Sequence, residues 1–212
     1  MVKTKIYKTR EEWLKGRQKT IGGSDAAAVL GMSPYMTNAE LYDKKRGTVT
    51  ESNETPLMIY GTKAEEYLRE MFKLDFPDMK VYYEPNNLVR NDRYPWAHAS
   101  LDGFIIDKHE RRGVLEIKTA TLMNGIQARK WNNKIPDHYY VQVLHEMAVA
   151  DADFAIVKAQ LKRIVNGDLI IQTNHYTIER NDEEIHFLMA EEKKFWEMLK
   201  SGNRPSVMLP AI

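Results

Sequence analysis

Two short apolar segments around a polar turn constrain the fold of this chain more than any other feature of its sequence. Residues 101–107 and 114–119 are apolar and rich in β-branched side chains, and the polar run 108–113 separates them. This pattern predicts a β-hairpin. With the turn centred in the middle of that run, Asp102 lies opposite a residue between 116 and 120.

The second arm of this hairpin carries an acid and a base on one face. Side chains alternate along a strand, so Glu116 and Lys118 share a face with Val114, whereas Leu115 and Ile117 point into a core. The two charged side chains therefore emerge beside the aspartate of the neighbouring strand.

Carboxylates on adjacent strands, helped by a backbone carbonyl, suit a hard divalent ion that keeps several waters and binds phosphate. That description favours magnesium over zinc. Lys118 either orients or deprotonates an attacking water, or neutralises charge on the phosphate, and the residues leave these roles open. By itself the triplet 116–118 is also typical of an ordinary half-buried strand.

Length and composition narrow the class of protein. The chain of 212 residues is long enough for one substantial core and has no linker-like stretch, so we expect a single domain over residues 1–212. The absence of cysteine excludes disulfides, thiolate metal sites and iron–sulfur clusters. No apolar run approaches the roughly 18 residues that span a bilayer, and the charged N-terminus lacks a signal-peptide core. We therefore expect a cytoplasmic protein with no membrane partner, and a net charge of +1 means that any attraction to nucleic acid is local.

The N-terminal third is predicted to be helical, with helices over residues 10–16 and 38–46. Between them, Gly22–Ser24 form a tight turn that feeds a short helix ending at Gly31. Ser24 is the natural N-cap of this helix. Exposed amides at a helix start also bind phosphate, and Arg17 would add a charge-assisted contact, so both interpretations of Ser24 stay open.

A longer helix is predicted over residues 61–72, after a polar loop at 47–57. Thr62 and Glu65 fit a capping box at its start, which alone accounts for the glutamate. The predicted apolar face of this helix consists of Ala64, Tyr67, Leu68, Met71 and Phe72.

Pro136 suits the first turn of a helix that runs to about Ala150 and places Tyr139 and Gln142 on one face. The adjacent pair at 145 and 146 resembles half of a zinc-protease motif, which fails because a valine stands at 149. The apolar stripe of this helix is predicted to be Tyr140, Val143, Leu144, Met147 and Ala148. The preceding polar run 123–134 is either a DNA-facing segment or a solvated helix face.

The remaining segments complete a mixed architecture. Strands are predicted at 81–89, 96–100, 154–161 and 169–178, the last two joined by an Asn166–Gly167 turn. A final helix begins near Asn181 and ends at Gly202. This order predicts an α+β fold, or a related α/β fold, with a mixed central β-sheet flanked by helices.

The order of the motifs resembles a known family. Asp102 followed by Glu116 and Lys118 resembles the PD-(D/E)XK nuclease signature, with Leu101 in place of the usual proline. Over about residues 13–150 further motifs follow the order of the YqaJ-like viral recombinases, relatives of phage lambda exonuclease. These motifs are Arg17, Gly22–Asp25, Ser33–Tyr35, Gly61 with Glu65, and Tyr139 with Gln142.

The resemblance implies roles for individual residues. It implies a set of catalytic residues and a divalent metal ion. The implied ion is Mg²⁺, and Mn²⁺ is expected to be able to replace it. Gln142 would contact the attacking water or the scissile phosphate, and Arg17 and Ser24 would hold a DNA phosphate at the strand end. The implied catalytic residues are Glu65, Asp102, Glu116, Lys118, Tyr139 and Gln142, and the implied metal ligands are Asp102, Glu116, Glu65 and the backbone carbonyl of Ile117.

The resemblance also implies a restriction-endonuclease-like core and an activity. The implied enzyme degrades linear double-stranded DNA from its ends, 5′ to 3′, and leaves single strands for phage-type recombination. It would form a ring-shaped homotrimer, work beside a single-strand annealing protein, and be encoded by a phage or prophage in a bacterial host. The alternatives are an endonuclease or single-strand exonuclease of the same fold, or a catalytically silent DNA-end-binding module. The silent module fits poorly because the set of Asp102, Glu116 and Lys118 is complete.

Overall fold

The computed structural model describes residues 1–48 and 55–209. The helices are α1 Arg10–Gln18, α2 Gly23–Val29, α3 Asn38–Lys45, α4 Pro56–Asp75, α5 Gly125–Arg129, α6 Asp137–Ala150 and α7 Asp182–Ser201. The strands are β1 Val2–Ile6, β2 Ile21–Gly22, β3 Lys80–Tyr82, β4 Asn87–Asn91, β5 Ala97–His98, β6 Gly103–Ile106, β7 Arg112–Thr121, β8 Phe154–Val165 and β9 Asp168–Glu179.

The central sheet has the strand order β3-β6-β7-β8-β9. Adjacent strands of this sheet run antiparallel, except for β7 and β8, which run parallel. A parallel pair cannot be joined by a tight turn, and here α5 and α6 make the connection. The expected mixed sheet flanked by helices is confirmed.

Helices cover both faces of this sheet. On one face α6 packs on β7 and β8, with α2 and α7 against its outer side. On the other face α4 packs through Ala64, Leu68 and Phe72 against alternate residues of the central strands. Val114 is therefore as buried as Leu115, because each face of β7 meets a helix.

The start of α2 differs from the expectation. Gly22, not Ser24, is the N-cap residue, and the carboxylate of Asp25 accepts a hydrogen bond of 2.9 Å from the Gly22 N–H. Lys45 of α3 lies 2.6 Å from the same carboxylate. Burial alone would raise the pKa of Asp25, but the Lys45 charge and these hydrogen bonds lower it to about 2.

Helix α4 begins earlier than predicted. Thr55 caps it, accepting from the Met58 N–H, and Pro56 occupies the first turn. Thr62 and Glu65 lie inside the helix, so the predicted capping box is wrong. Of the predicted loop, residues 49–54 lie outside the described part of the chain.

Several other predicted boundaries and faces are corrected. The segment 81–89 divides into β3 and β4, and only Ala97–His98 of the segment 96–100 is strand. Tyr67 and Met71 are 70% and 47% exposed and do not belong to the apolar face of α4. Trp131 is buried, so it is not part of a DNA-facing surface. Within residues 1–48 and 55–209, no helix is both long and apolar enough to cross a membrane.

Candidate active site

The hairpin of β6 and β7 fixes the aspartate at its open end. Gly103 pairs with Leu115, so the next position along each strand brings Asp102 level with Glu116. The Asp102 carboxylate accepts a hydrogen bond of 2.8 Å from the Ile117 N–H. The predicted juxtaposition of the two carboxylates is thus present.

Helix α4 ties a third carboxylate to the hairpin. Arg69 donates a hydrogen bond of 2.8 Å to the Asp102 backbone oxygen, one turn after Glu65. A Cβ on Gly61 would lie 3.3 Å from the Thr119 hydroxyl, so glycine there lets the helix approach β7 closely. Glu65 is consequently held, half-buried, beside the two strand carboxylates.

Crowding of these carboxylates changes their acidity. Burial and then the charges of Glu116 and Glu65 raise the pKa of Asp102 well above its ordinary value. Burial and the Glu116 charge likewise raise the pKa of Glu65. Like charges in a low-dielectric site favour the protonated form unless a cation joins them.

A lysine and a glutamine complete the cluster. Lys118 Nζ lies 2.6 Å from Glu116 Oε1 and donates a hydrogen bond of 2.9 Å to Gln142 Oε1. Gln142 Nε2 donates to the same glutamate oxygen at 2.6 Å. Although burial lowers the pKa of Lys118, the Glu116 carboxylate raises it above its ordinary value. The Tyr139 ring lies 4.6 Å from Lys118 Nζ, so the six predicted catalytic side chains converge.

One buried acid of this cluster was missed by the sequence analysis. Glu146 Oε1 accepts a hydrogen bond of 2.8 Å from Gln142 Nε2. Burial and then the Glu116 charge raise the pKa of Glu146 well above its ordinary value. The signal that could have found it is its position four residues after Gln142 on α6, which puts both on one helix face.

The candidate phosphate site adjoins the carboxylates. Arg17 Nη2 donates to Ser24 Oγ at 3.4 Å, and its guanidinium lies 4.4 Å from the Trp13 ring centroid. Ser24 is exposed and follows Gly23, where an added Cβ would lie 3.2 Å from Gln142 Cγ. Ser24 is therefore the neighbour in sequence of a glycine that packs close to Gln142.

The donor set fits a hard divalent cation in its chemistry. Over residues 1–48 and 55–209, no three His, Cys, Asp or Glu side chains stand as a ready metal cage, and Lys118 instead contacts Glu116. The candidate ligands are nevertheless all oxygens, from Asp102, Glu116, Glu65 and the Ile117 carbonyl, which is the set that Mg²⁺ prefers. Burial, and after it the neighbouring carboxylate charges, raises the pKa values of Asp102 and Glu65, and a bound cation would offset both effects.

Comparison with known proteins gives a family match over most of this region. A sequence model of the YqaJ-like viral recombinase domain matches residues 12–153, about two thirds of the chain. The Bacillus subtilis (strain 168) protein YqaJ is 29% identical over 202 residues, which cover 94% of this chain and 59% of that protein. The chain thus spans about three fifths of the length of this relative.

Solved structures share the fold. An alkaline exonuclease from Laribacter hongkongensis superposes with a TM-score of 0.69 at 24% identity, covering 91% of this chain and 94% of that one. The same enzyme in complex with dAMP matches with the same TM-score. A phage-related exonuclease from Haemophilus somnus 129PT matches with a TM-score of 0.56 at 14% identity, and the match covers 86% of this chain and 96% of that one.

Proposed function

The chain belongs to the YqaJ-like viral recombinase family, and we propose that it is a metal-dependent deoxyribonuclease that degrades linear double-stranded DNA from its ends. The observation that carries the proposal is the convergence of three carboxylates beside a buried lysine: Glu65 from α4, Asp102 from the residue before β6, and Glu116 from β7. Perturbed carboxylates at one such point are typical of a site that holds a cation. The exonucleases of similar fold support the same class of activity.

The cation of this proposal is Mg²⁺, with Mn²⁺ as a substitute. Asp102, Glu116, Glu65 and the Ile117 carbonyl would hold it. A divalent ion bound there supplies positive charge against the phosphate oxygens and increases the acidity of a water. The chain's own contribution is to keep these acids together and to fix Asp102 through the Ile117 N–H.

Lys118 is assigned a charge-neutralising role. Its ammonium lies 2.6 Å from Glu116 Oε1 and can donate to a phosphate oxygen or to the attacking water. Gln142, bonded to both Lys118 and Glu116, orients the water or the scissile phosphate, and Tyr139 packs beside the ammonium.

Arg17 and Ser24 are assigned to the DNA end. A guanidinium and an exposed hydroxyl that contact one another can share a terminal phosphate. Gly23, the residue before Ser24, lies close to Gln142, which supports a strand end held near the reacting bond. The direction of digestion is taken from the family resemblance: nucleotides are removed from the 5′ end, 5′ to 3′, leaving single-stranded DNA for recombination. The relative in complex with dAMP is consistent with a site that accepts a mononucleotide.

The partners of the enzyme follow from the same family resemblance. We expect residues 1–212 to act as one nuclease domain, assembled as a homotrimer around duplex DNA. We also expect a single-strand annealing protein as its partner, in the cytoplasm of a bacterial host of the phage or prophage.

Purified protein incubated with matched DNA substrates tests the activity. The substrates are linear duplex, closed circular duplex and linear single strands, each with Mg²⁺, with Mn²⁺ and with chelator. The proposal expects digestion of the linear duplex alone, in either metal and not in chelator. Cutting of the circle would indicate an endonuclease, preference for single strands would indicate a single-strand exonuclease, and binding without cutting would indicate a silent end-binding module.

A further inference from the structure

Glu146 is a buried acid that the proposed chemistry does not use. It is 2% exposed and lies one helical turn after Gln142 on α6. One of its oxygens accepts from Gln142 Nε2 at 2.8 Å. The other, Oε2, has no hydrogen-bond partner among the residues that the structure describes.

The contacts of Gln142 fix which way its amide faces. An ammonium only donates, so the Gln142 oxygen must face Lys118. A carboxylate only accepts, so the Gln142 nitrogen must face Glu116. The nitrogen carries a second N–H, and Glu146 is its acceptor. Removal of that acceptor leaves a buried donor unsatisfied and takes away one of the three contacts that hold the amide in place.

Packing keeps the Glu146 carboxyl in this place. A Cβ on Gly23, in the first turn of α2, would lie 2.7 Å from Glu146 Oε1. The carboxyl is therefore confined between the backbone of α2 and the side chain of Gln142. It cannot swing toward α2 to find another partner.

We propose that Glu146 is a positioning residue that holds the Gln142 amide with its oxygen toward Lys118 and its nitrogen toward Glu116. The inference rests on the proposed nuclease function and assigns to that site a residue that acts only through Gln142. A neutral acid and a carboxamide both present an oxygen acceptor of the same reach. Acceptor geometry, not charge, is the property required at this position.

Kinetics of single and double variants test the coupling. Glu146→Leu removes the acceptor, and we expect kcat on linear duplex to fall about tenfold at unchanged KM, since only transition-state interactions are lost. Glu146→Gln restores an acceptor and should bring kcat back to within about threefold of wild type. In a Gln142→Ala background, Glu146→Leu should cause no further loss, because residues that act through one another are not additive.

A second measurement does not depend on activity. In ¹⁵N-labelled protein with chelator, the Gln142 side-chain amide signals are identified by their absence in Gln142→Ala. We expect one amide proton to move toward its solvent value in Glu146→Leu and to stay in place in Val149→Ala, which truncates a buried side chain of the same helix two turns after Gln142. Where Glu146→Leu does not fold, Glu146→Ser, whose hydroxyl is too short to reach the amide, replaces it under the same criteria.

Opposite results separate the two claims. Three results would overturn the positioning role. They are full activity of Glu146→Leu, a kcat loss from Glu146→Leu that adds in full to that of Gln142→Ala, and an amide signal that does not move in Glu146→Leu. An inactive wild type would overturn the proposed function, and the amide measurement would still decide whether Glu146 orients Gln142.

Discussion

At the scale of single residues, Asp102 is the side chain on which the proposed chemistry depends most. Asp102→Asn keeps the size of the side chain and an oxygen that can accept from the Ile117 N–H, while it removes a negative ligand. We expect turnover of linear duplex in Mg²⁺ to fall by at least about 100-fold, because the cation that would stabilise the developing charge is held less well. DNA affinity, measured by fluorescence anisotropy, should be unchanged or higher because a repulsive charge is gone.

Asp107 offers a matched control on the same hairpin. Its carboxylate accepts from the His109 and Arg111 N–H groups and closes the β6–β7 turn. Asp107→Asn should lower the melting temperature and keep the rate. A near wild-type rate for Asp102→Asn would remove this aspartate from the active site.

Glu65 provides a second test, because the structure removes its alternative explanation as a cap. Glu65→Gln retains the shape of the side chain and loses its charge, so we expect turnover to fall by about tenfold or more with no change in the thermal melt. Glu66→Gln, at an exposed neighbouring position, should leave turnover within about twofold. Equal rates for the two variants would leave Glu65 without a catalytic role.

Arg17 is expected to distinguish one DNA end from another. Arg17→Ala should lower the rate mainly on 5′-phosphorylated duplex and narrow its advantage over 5′-hydroxyl duplex, with the metal requirement unchanged. Arg17→Lys should rescue only in part, because it keeps the charge and loses both the fork and the stacking on Trp13. Initial rates on the two end types measure this ratio, with Lys15→Ala of the same helix as the control. An unchanged ratio in Arg17→Ala would make this arginine an ordinary surface charge.

At the scale of secondary-structure elements, the sequence predicts features that depend on neighbouring residues alone. It does not predict features that depend on contacts with distant parts of the chain. The β8–β9 turn followed from Asn166 and Gly167, which adopt positive φ angles of 52° and 92°, because a tight turn requires only its own residues. The helix period of α4 also followed from the sequence. The width of its buried face did not, because the sheet surface beneath α4 decides how much of the helix is covered.

The buried face of α4 leads to a prediction about stability. Phe72 is fully buried against the sheet, whereas Tyr67 is 70% exposed. Phe72→Ala should lower the free energy of unfolding by about 3–5 kcal/mol. Tyr67→Ala should change it by no more than about 0.5 kcal/mol. Urea denaturation at one protein concentration measures both, and comparable losses would mean that both residues pack in the core.

At the scale of the whole molecule, the site is assembled from motifs far apart in the chain. Strand alternation brought Glu116 and Lys118 to one face, and the family resemblance joined to them Glu65, Gln142 and Arg17. The parallel pairing of β7 with β8 is non-local, so no short stretch of sequence could reveal it. The contact of Glu146 with Gln142 and the backbone of α2 depends on the packing of α6 against α2, which periodicity alone does not supply.

A buried histidine network also links distant parts of the fold. His98 Nδ1 lies 2.9 Å from the Thr20 hydroxyl, and the His98 backbone oxygen lies 2.8 Å from Nε2 of His145. His145 Nδ1 in turn lies 2.7 Å from Glu192 on α7. These contacts hold the segment between α1 and β2, strand β5, α6 and α7 together.

The two histidines respond to pH with opposite signs. Burial, followed by the charges of Lys45 and Arg17, lowers the pKa of His98 from 6.5 to about 2. Below pH 6.5 the unfolded chain therefore binds a proton that the folded chain does not, and stability falls with falling pH. Although burial lowers the pKa of His145, the Glu192 carboxylate raises it, so the stability from that pair is present at low pH and is lost as pH rises.

The contribution of His98 to the pH dependence of stability can be isolated by comparing the wild type with His98→Asn. Between pH 7.5 and pH 5, His98 should cost the wild type at most about 2 kcal/mol of unfolding free energy by linkage. His98→Asn keeps an amide near the Thr20 hydroxyl and does not titrate. Between pH 7.5 and pH 5 the variant should therefore lose less unfolding free energy than the wild type, and the difference should equal the His98 contribution. At pH 7.5 itself the variant should be less stable than the wild type. Urea denaturation at fixed protein concentration measures both slopes, and His186→Gln, at an exposed position of α7, should follow the wild type. Equal slopes for wild type and His98→Asn would mean that His98 accepts a proton within the folded protein.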